Sequence, residues 1–164
     1  MNTTRNNKIK SGLTINTQYE VSFQIYPTNI PVCWVNILHF TIGEDHGRSG
    51  DRIPAVWFNN GNDHKSRPLH IASDVNNNHN HVHFTDQITT NKWTSVTIRQ
   101  ALQKGRYWYE ILINGESSYK VENKRPRAFH DVTVYASDRW YRAMEGKIKE
   151  LSYGCPSLFS ESGE

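Results

Sequence analysis

The chain has 164 residues, enough for a single domain with a sizeable apolar core. Its formal net charge of +3, with no Lys/Arg cluster interleaved with aromatic residues, argues against nucleic acid as a partner. No apolar run reaches the roughly 20 residues that span a bilayer, which argues against membrane insertion.

Strict alternation of apolar and polar residues is the main structural signal, and it follows a polar lead, residues 1–17, that we expect to be flexible. From Tyr19 to Ile25 every apolar side chain stands at an odd position, and residues 107–113 repeat this pattern. Period two places one face of a strand in a core, and nothing comparable occurs at helical spacing. The sequence therefore predicts an all-β, two-sheet sandwich or barrel, with strands at 18–26, 32–42, 54–59, 68–73, 81–85, 93–102, 106–113, 116–122, 131–137 and 146–153.

Turn residues separate these strands. Asn114-Gly115 is the strongest hairpin signal, because both residues accept the positive φ of a tight turn, and Lys104-Gly105 predicts the preceding hairpin. Three longer segments, 43–53, 60–67 and 74–80, are predicted to be rim loops, where binding groups are usually presented. The sandwich is expected to span residues 18–156, and 157–164 to form a flexible tail.

The strand at 32–42 is apolar on both faces, which predicts a central strand or one that a loop covers. It contains Cys33, and Cys155 follows the last strand. A Cys33–Cys155 disulfide and two buried thiols are both compatible with this arrangement. The polar start of the chain has no secretory signal, so either a cytoplasmic protein or an excised domain fits. The polar residues 160–164 favour the second, a secreted or extracellular domain of a larger protein.

Four segments carry a resemblance to a known family: NILHFTIG at 36–43, GDRIPAVWF at 50–58, LHIAS at 69–73 and VYASDRWY at 134–141. Their order resembles laminin-G-like modules of the concanavalin A-like lectin/glucanase superfamily, of the kind found in extracellular proteins of cnidarians and other marine animals. The resemblance spans residues 18–153. It implies a jelly-roll β-sandwich of two antiparallel sheets, an extracellular setting, and adhesion or carbohydrate recognition as the usual task.

The resemblance to glucanases of this superfamily implies a Glu-x-Asp-x-x-Glu motif on one strand. This chain lacks that motif. Retaining glycosidases need two carboxyl groups about 5–5.5 Å apart. Glu44 and Asp45 are adjacent, so their side chains would point apart in an extended segment, and Glu110 has no partner at i+2 or i+4. The sequence therefore predicts a protein that is not an enzyme.

His79, His81 and His83 stand at alternate positions, so an extended backbone would place all three on one face. Neutral imidazoles spaced in this way can form part of a zinc site. The alternative is the solvated face of an edge strand, with Val82 and Phe84 pointing inward.

The loop at 43–53 concentrates carboxylates, arginines and glycines. Asp45 and Asp51 could hold Ca²⁺ together with backbone carbonyls, as laminin-G-like modules often do. Arg48 and Arg52 could instead clamp an anionic sugar or a carboxylate. The third interpretation is an internal salt bridge, such as Asp51 with Arg52, that orders a glycine-rich loop.

The rim segment 137–142 places two aromatic rings beside an acid. Trp140 or Tyr141 could stack on a sugar while Asp138 accepts hydroxyl hydrogen bonds, or Trp140 could seal the core while Asp138 caps the turn. Further candidate ligand-binding groups are the loop residues Asp74 and Asn76, whereas two tryptophans, Trp57 and Trp93, are predicted to lie in the core.

These observations favour a non-catalytic extracellular recognition module that binds a glycan or a protein partner through its rim loops, with calcium as a candidate cofactor. The alternative is a structural domain that assembles with its own copies, as a homo-oligomer, or with neighbouring domains. An exposed apolar patch without a polar pocket would favour that alternative.

Overall fold

The computed structural model describes residues 1–59 and 68–156. The described residues form strands and connections and contain no helix, which confirms the all-β fold class. The strands are β1 (Lys8–Ile15), β2 (Tyr19–Asn29), β3 (Val35–Thr41), β4 (Ala55–Phe58), β5 (Pro68–Val75), β6 (Asn78–Gln87), β7 (Thr94–Gln103), β8 (Arg106–Ile113), β9 (Glu116–Glu122), β10 (Phe129–Tyr135), β11 (Arg142–Ala143) and β12 (Glu145–Gly154).

Two sheets stack to form the jelly-roll sandwich. The larger has the order β1-β10-β3-β4-β5-β6, with the short β11 joined in parallel to β3, and the smaller has the order β12-β2-β7-β8-β9. The neighbours along these two orders are antiparallel. The alternating residues fill the space between the sheets as predicted, since Phe23, Ile25, Tyr109 and Ile111 are at most 1% exposed.

The prediction of a flexible lead over residues 1–17 is wrong for its second half. Residues 8–15 form β1, an edge strand that pairs with β10, and the amino group of Met1 donates a hydrogen bond to the backbone oxygen of Ile148 (2.7 Å). The register shifts three times along this pair. Repeated shifts break the period-two pattern, because each extra residue moves the following side chains to the other face.

Strand β3 is central, as predicted, and all seven of its residues are buried. Its register against β4 shifts between Asn36 and Leu38, so both Ile37 and Leu38 enter the main core. The polar side chains of Asn36, His39 and Thr41 lie on the other face, where they are fully buried. This buried polar layer supports the loops at 43–53 and 137–141.

Both predicted hairpin turns are present. Asn114 and Gly115 have φ values of 51° and 81°, and Lys104 and Gly105 have 50° and 76°. The predicted long loop at 74–80 is instead a tight turn, with Asn76 and Asn77 at φ values of 53° and 62°. Asparagine tolerates the left-handed region better than most residues, so an Asn run can close a hairpin as Asn-Gly does. The predicted loop 60–67 and tail 157–164 lie outside the described residues.

Cys33 precedes β3 in one sheet, Cys155 follows β12 in the other, and both are free cysteines, so the disulfide alternative is wrong. The second alternative holds only in part, because Cys33 is half-buried whereas Cys155 is exposed. Trp93 is half-buried and packs against Tyr26 rather than in the core. Within the described ranges, no helix is long and apolar enough to cross a membrane.

Candidate functional site

A cleft of about 380 Å³ opens on the outer face of the larger sheet. We call it the outer-face cleft, and it is lined by Trp34, Arg52, Trp57, His70, Asn80 and Tyr141. Trp57 pairs with His70 across β4 and β5, while their sequence neighbours Val56 and Ile71 belong to the core. Strand alternation therefore projects both rings away from the core and into the cleft wall.

Aromatic rings form most of this wall. Trp34 contacts His70 edge-on, with ring centroids 4.9 Å apart, and Trp57 meets Tyr141 at 5.8 Å. Trp57 is only 1% exposed, whereas Trp34 is 40% exposed. Trp34 is thus the ring whose surface is most available to an incoming molecule.

Arg52 is fixed at the rim by three contacts. Its Nε donates to Asp45 Oδ1 and its Nη1 donates to Asn80 Oδ1, both at 2.7 Å, and its guanidinium lies 4.9 Å from the centroid of Trp57. The loop therefore does contain an internal salt bridge, but with Asp45 in the place predicted for Asp51. Because Arg52 is already bonded to Asp45 and Asn80, it does not fit the predicted clamp for an anion, whereas for the exposed Arg48 the clamp stays a prediction.

Two buried polar atoms of the wall have no hydrogen-bond partner among the described residues: Trp57 Nε1 and His70 Nδ1. Such atoms are uncommon in native proteins, because leaving a buried polar group unpaired costs about 1–3 kcal/mol. Burial, and secondarily the charge of Arg52, lowers the pKa of His70 to about 4, so its ring is neutral at pH 7. A neutral imidazole offers one donor and one acceptor.

Tyr141 is the neutral hydroxyl of the site. Burial and a hydrogen bond with Asp45 raise its pKa to about 12. The Asp45 side chain is only 4% exposed and also lies beside Arg52. Among the described residues that line the cleft, Arg52 is the one permanent cation, and the Asp45 carboxylate that it bonds balances its charge.

Asp138 is buried beneath the outer-face cleft and does not line its surface. It is 0% exposed, and its Oδ2 accepts a hydrogen bond from His39 Nδ1 at 2.7 Å. Its Oδ1 accepts the backbone N–H groups of Trp140 (3.1 Å) and Tyr141 (3.0 Å). The prediction of Asp138 as a ligand-binding group is corrected accordingly, and the capping alternative describes its contacts.

The side chain of Asp51 also bonds groups of the protein itself and does not face the cleft. Its Oδ2 accepts the backbone N–H groups of His46 and Arg48, at 2.9 and 3.0 Å, and its backbone oxygen accepts a hydrogen bond from His39 Nε2 at 2.6 Å. With Asp45 held by Arg52, the two carboxylates do not fit a calcium site. Within residues 1–59 and 68–156, no three His, Cys, Asp or Glu side chains converge as metal ligands.

The three alternate histidines have separate partners and do not form a zinc site. His79 contacts Asp74 (2.6 Å), His81 contacts the Tyr119 hydroxyl (2.7 Å), and His83 contacts Ser118 (3.2 Å). His81 and His83 face strand β9 of the other sheet. The alternative orientation is also wrong, because Val82 and Phe84 lie opposite Ala72 and His70 on the outer face.

The remaining predicted site residues lie apart from the cleft wall. The Asp74 carboxylate is hydrogen-bonded to His79, and the side-chain amide of Asn76 donates a hydrogen bond to the backbone oxygen of Glu122 (2.9 Å). Trp140 folds back onto His39, with ring centroids 5.3 Å apart. Of the predicted ligand-binding set, Arg52 and Tyr141 are in the wall.

Sequence reasoning missed four residues of the wall: Trp34, Trp57, His70 and Asn80. The signal for His70 was present, because a histidine between Leu69 and Ile71 in a buried strand must face away from the core. Trp57 is buried, as predicted, but the structure places it on the outer face of the larger sheet and not in the core between the two sheets.

Neither a protein-family model nor a curated protein matches this chain. Solved structures do. A pentraxin from Limulus polyphemus, described as heptameric and SAP-like, superposes with a TM-score of 0.58 at 13% identity, over 89% of this chain and 67% of the pentraxin. The CBM40 module of a Ruminococcus gnavus IT-sialidase gives 0.56 at 11% identity, over 92% and 90%.

Domain 4 of AbnA, an extracellular GH43 arabinanase from Geobacillus stearothermophilus solved with arabinotriose, gives a TM-score of 0.55 at 16% identity. This chain covers 64% of that structure, and the match includes 89% of this chain. At such identities the likeness shows the fold alone, which is the two-sheet jelly roll of lectin-like and carbohydrate-binding domains.

Proposed function

We propose that this protein is a non-catalytic carbohydrate-binding module of the extracellular space that holds an uncharged sugar in the outer-face cleft. The observation that carries the proposal is the pair of unpartnered buried atoms, Trp57 Nε1 and His70 Nδ1, beside the half-exposed ring of Trp34. Sugars present both an apolar C–H face and a ring of hydroxyl groups. A half-exposed indole and nearby buried donors and acceptors complement these two features.

The proposed contacts follow from the chemistry of each group. The C–H face of the sugar stacks on Trp34, Trp57 Nε1 donates to a hydroxyl, and the neutral ring of His70 exchanges a hydrogen bond with another. Arg52 and Asn80, already bonded to each other, border the bound sugar at the rim. An uncharged sugar is favoured because Asp45 balances the charge of Arg52 and both His70 and Tyr141 are neutral.

Two further considerations support binding without catalysis. A retaining glycosidase needs two carboxyl groups about 5–5.5 Å apart, and none of the six lining residues carries one. The Asp45 carboxylate beside the rim is held by Arg52. The CBM40 module of similar fold has also been solved with α2,6-sialyllactose, so the jelly roll is compatible with glycan binding.

The test is a glycan array followed by calorimetry on the highest-ranking neutral oligosaccharide. Trp34→Ala is expected to weaken binding about tenfold or more, because stacking and area burial on one ring are together worth more than about 1.4 kcal/mol. Trp93→Ala is the matched control, since Trp93 is also a half-buried indole but packs against Tyr26 on the other sheet. Circular dichroism checks that both variants fold.

Three results would refute the proposal: no glycan bound, equal affinities for Trp34→Ala and the wild type, or cleavage of the bound oligosaccharide. The alternative of a purely structural assembly domain predicted an exposed apolar patch without a polar pocket. The outer-face cleft is a polar pocket, and the exposed rings of Trp34 and Phe84 both pack against His70, so the apolar surface on this face adjoins that pocket.

A further inference from the structure

We propose that the outer face of the smaller sheet carries a second, independent site, which binds an acidic polysaccharide around Trp108. A broad depression of about 660 Å³ lies there, lined by Gln103, Lys104, Arg106, Trp108 and Lys120. We call it the Trp108 depression. Nothing in the outer-face cleft contributes to it, since the cleft is built on strands of the other sheet.

Strand register places the lining residues on one surface. Arg106 lies opposite Gln103, and Trp108 lies opposite Ala101, across the β7–β8 pair. Directly opposed residues share a face, and alternate residues of β8, such as Tyr109 and Ile111, fill the core. Trp108 and Arg106 therefore face outward together.

Positive charge surrounds the ring. The ammonium of Lys120 stands 5.3 Å from the Trp108 ring centroid, and none of the five lining residues is acidic. Two glutamates lie on the same face: Glu110 is held by Arg99 and by Ser117, and Glu122, directly opposite Trp108, approaches Arg106 at 3.9 Å with both side chains accessible. Among the residues that the structure describes, Lys104 and Lys120 form no ion pair with a carboxylate, and they give the surface its positive sign.

An acidic polysaccharide fits this combination better than other polyanions. A flat, open depression accommodates an extended chain passing across it, the indole face stacks on a pyranose C–H face, and Arg and Lys bind sulfate or carboxylate substituents. Single-stranded nucleic acid usually requires several stacking rings along a basic groove, and only one ring lines the depression.

Dextran sulfate and unmodified dextran make the decisive pair of probes, because they share a backbone and differ in charge. We expect dextran sulfate to bind and dextran not to bind at this site. Three cationic contacts predict that the logarithm of the affinity falls with the logarithm of the salt concentration with a slope of about −2. Trp108→Ala and the double variant Arg106→Gln/Lys120→Gln should each lower the affinity about tenfold.

The double variant Lys8→Gln/Lys10→Gln removes the same charge from exposed positions on β1, and it should bind as the wild type does. Trp34→Ala should also bind dextran sulfate normally, so failure of the cleft proposal leaves this one intact. Equal loss in the β1 control would show non-specific attraction and overturn the site. Tighter binding of single-stranded DNA than of dextran sulfate at equal salt would overturn the ligand class.

Discussion

Replacing Asp138 tests whether the buried polar layer under the outer-face cleft holds the fold together. The carboxylate accepts three hydrogen bonds, from His39 Nδ1 and from the backbone amides of Trp140 and Tyr141. The other ring nitrogen of His39 faces the backbone oxygen of Asp51, so both nitrogens face acceptors. An imidazole that donates to both carries two hydrogens, and its positive charge is then balanced by Asp138.

Asp138→Ala would leave the buried His39 ring without its carboxylate partner. Breaking a buried ion pair by removing one partner costs about 3–5 kcal/mol. The two amides lose their acceptor as well, but Trp140 and Tyr141 are half-buried, so water can replace part of that loss. We expect the free energy of unfolding to fall by about 4 kcal/mol, a large share of the 5–15 kcal/mol typical of a domain.

Asp138→Asn distinguishes the charge from the hydrogen bonds. The asparagine oxygen can still accept both amides, and its NH₂ group can donate to Nδ1 of a neutral His39 that keeps its hydrogen on Nε2 for Asp51. This exchange keeps every buried group paired, so the expected loss is only about 1–2 kcal/mol.

Urea unfolding at pH 7, followed by tryptophan fluorescence, measures both free energies. A loss below about 1 kcal/mol for Asp138→Ala would refute the reasoning, as would equal losses for the alanine and asparagine variants. A small loss for Asp138→Ala would mean that the His39–Asp138 pair contributes little to stability. Equal losses would mean that the asparagine variant cannot hydrogen-bond a neutral His39.

Four further outcomes are expected. Gly146→Ala should destabilise the fold by about 3 kcal/mol in the same urea assay, because an added Cβ would lie 2.1 Å from the backbone oxygen of Tyr26; an unchanged midpoint would contradict that contact. The fold lowers the pKa of His70 from its ordinary value of 6.5 to about 4, so the unfolded chain binds a proton first and stability should fall as the pH drops from 6.5 towards 4. Sugar binding should stay constant from pH 8 to about 5 and weaken below about 4, whereas a decline centred near pH 6.5 in calorimetry would show an ordinary, accessible histidine. Without reductant, a thiol reagent should modify Cys155 rapidly in the folded protein and Cys33 only slowly, and a thiol count below two after unfolding would mean that a disulfide forms.

Much of the fold was predictable because period-two alternation depends on burial alone. The odd positions from Tyr19 to Ile25 are all buried in the structure, and the Asn114-Gly115 turn joins β8 to β9 as expected. Strand β1 was missed because its register shifts hide the alternation. The hairpin at Asn76-Asn77 was missed because an Asn run is typical of loops as well as of turns that need positive φ.

The site was less predictable for a different reason. In one sequence, an aromatic side chain that lines an outer-face cleft has the same appearance as one that fills the core, and Trp57 between Val56 and Phe58 is such a case. Ion-pair partners inside a loop are also undetermined by spacing. Arg52 bonds Asp45, seven residues earlier, while the adjacent Asp51 turns inward to cap the backbone of its own loop.

The polar face of β3 explains how the outer-face cleft can stay ordered before a ligand arrives. Asn36 accepts the backbone N–H of Asp138, and His39 bonds both Asp138 and the backbone of Asp51, so one strand anchors the two loops that deliver Tyr141 and Arg52. A side chain fixed before binding loses less conformational entropy when the ligand arrives. Removing this layer should therefore weaken sugar binding even in variants that stay folded. Asp138→Ala removes the acceptor at the centre of the layer, and Asp138→Asn is its matched control because it keeps the buried groups paired. Equal sugar affinities of the two folded variants would show that the cleft does not depend on the layer beneath it.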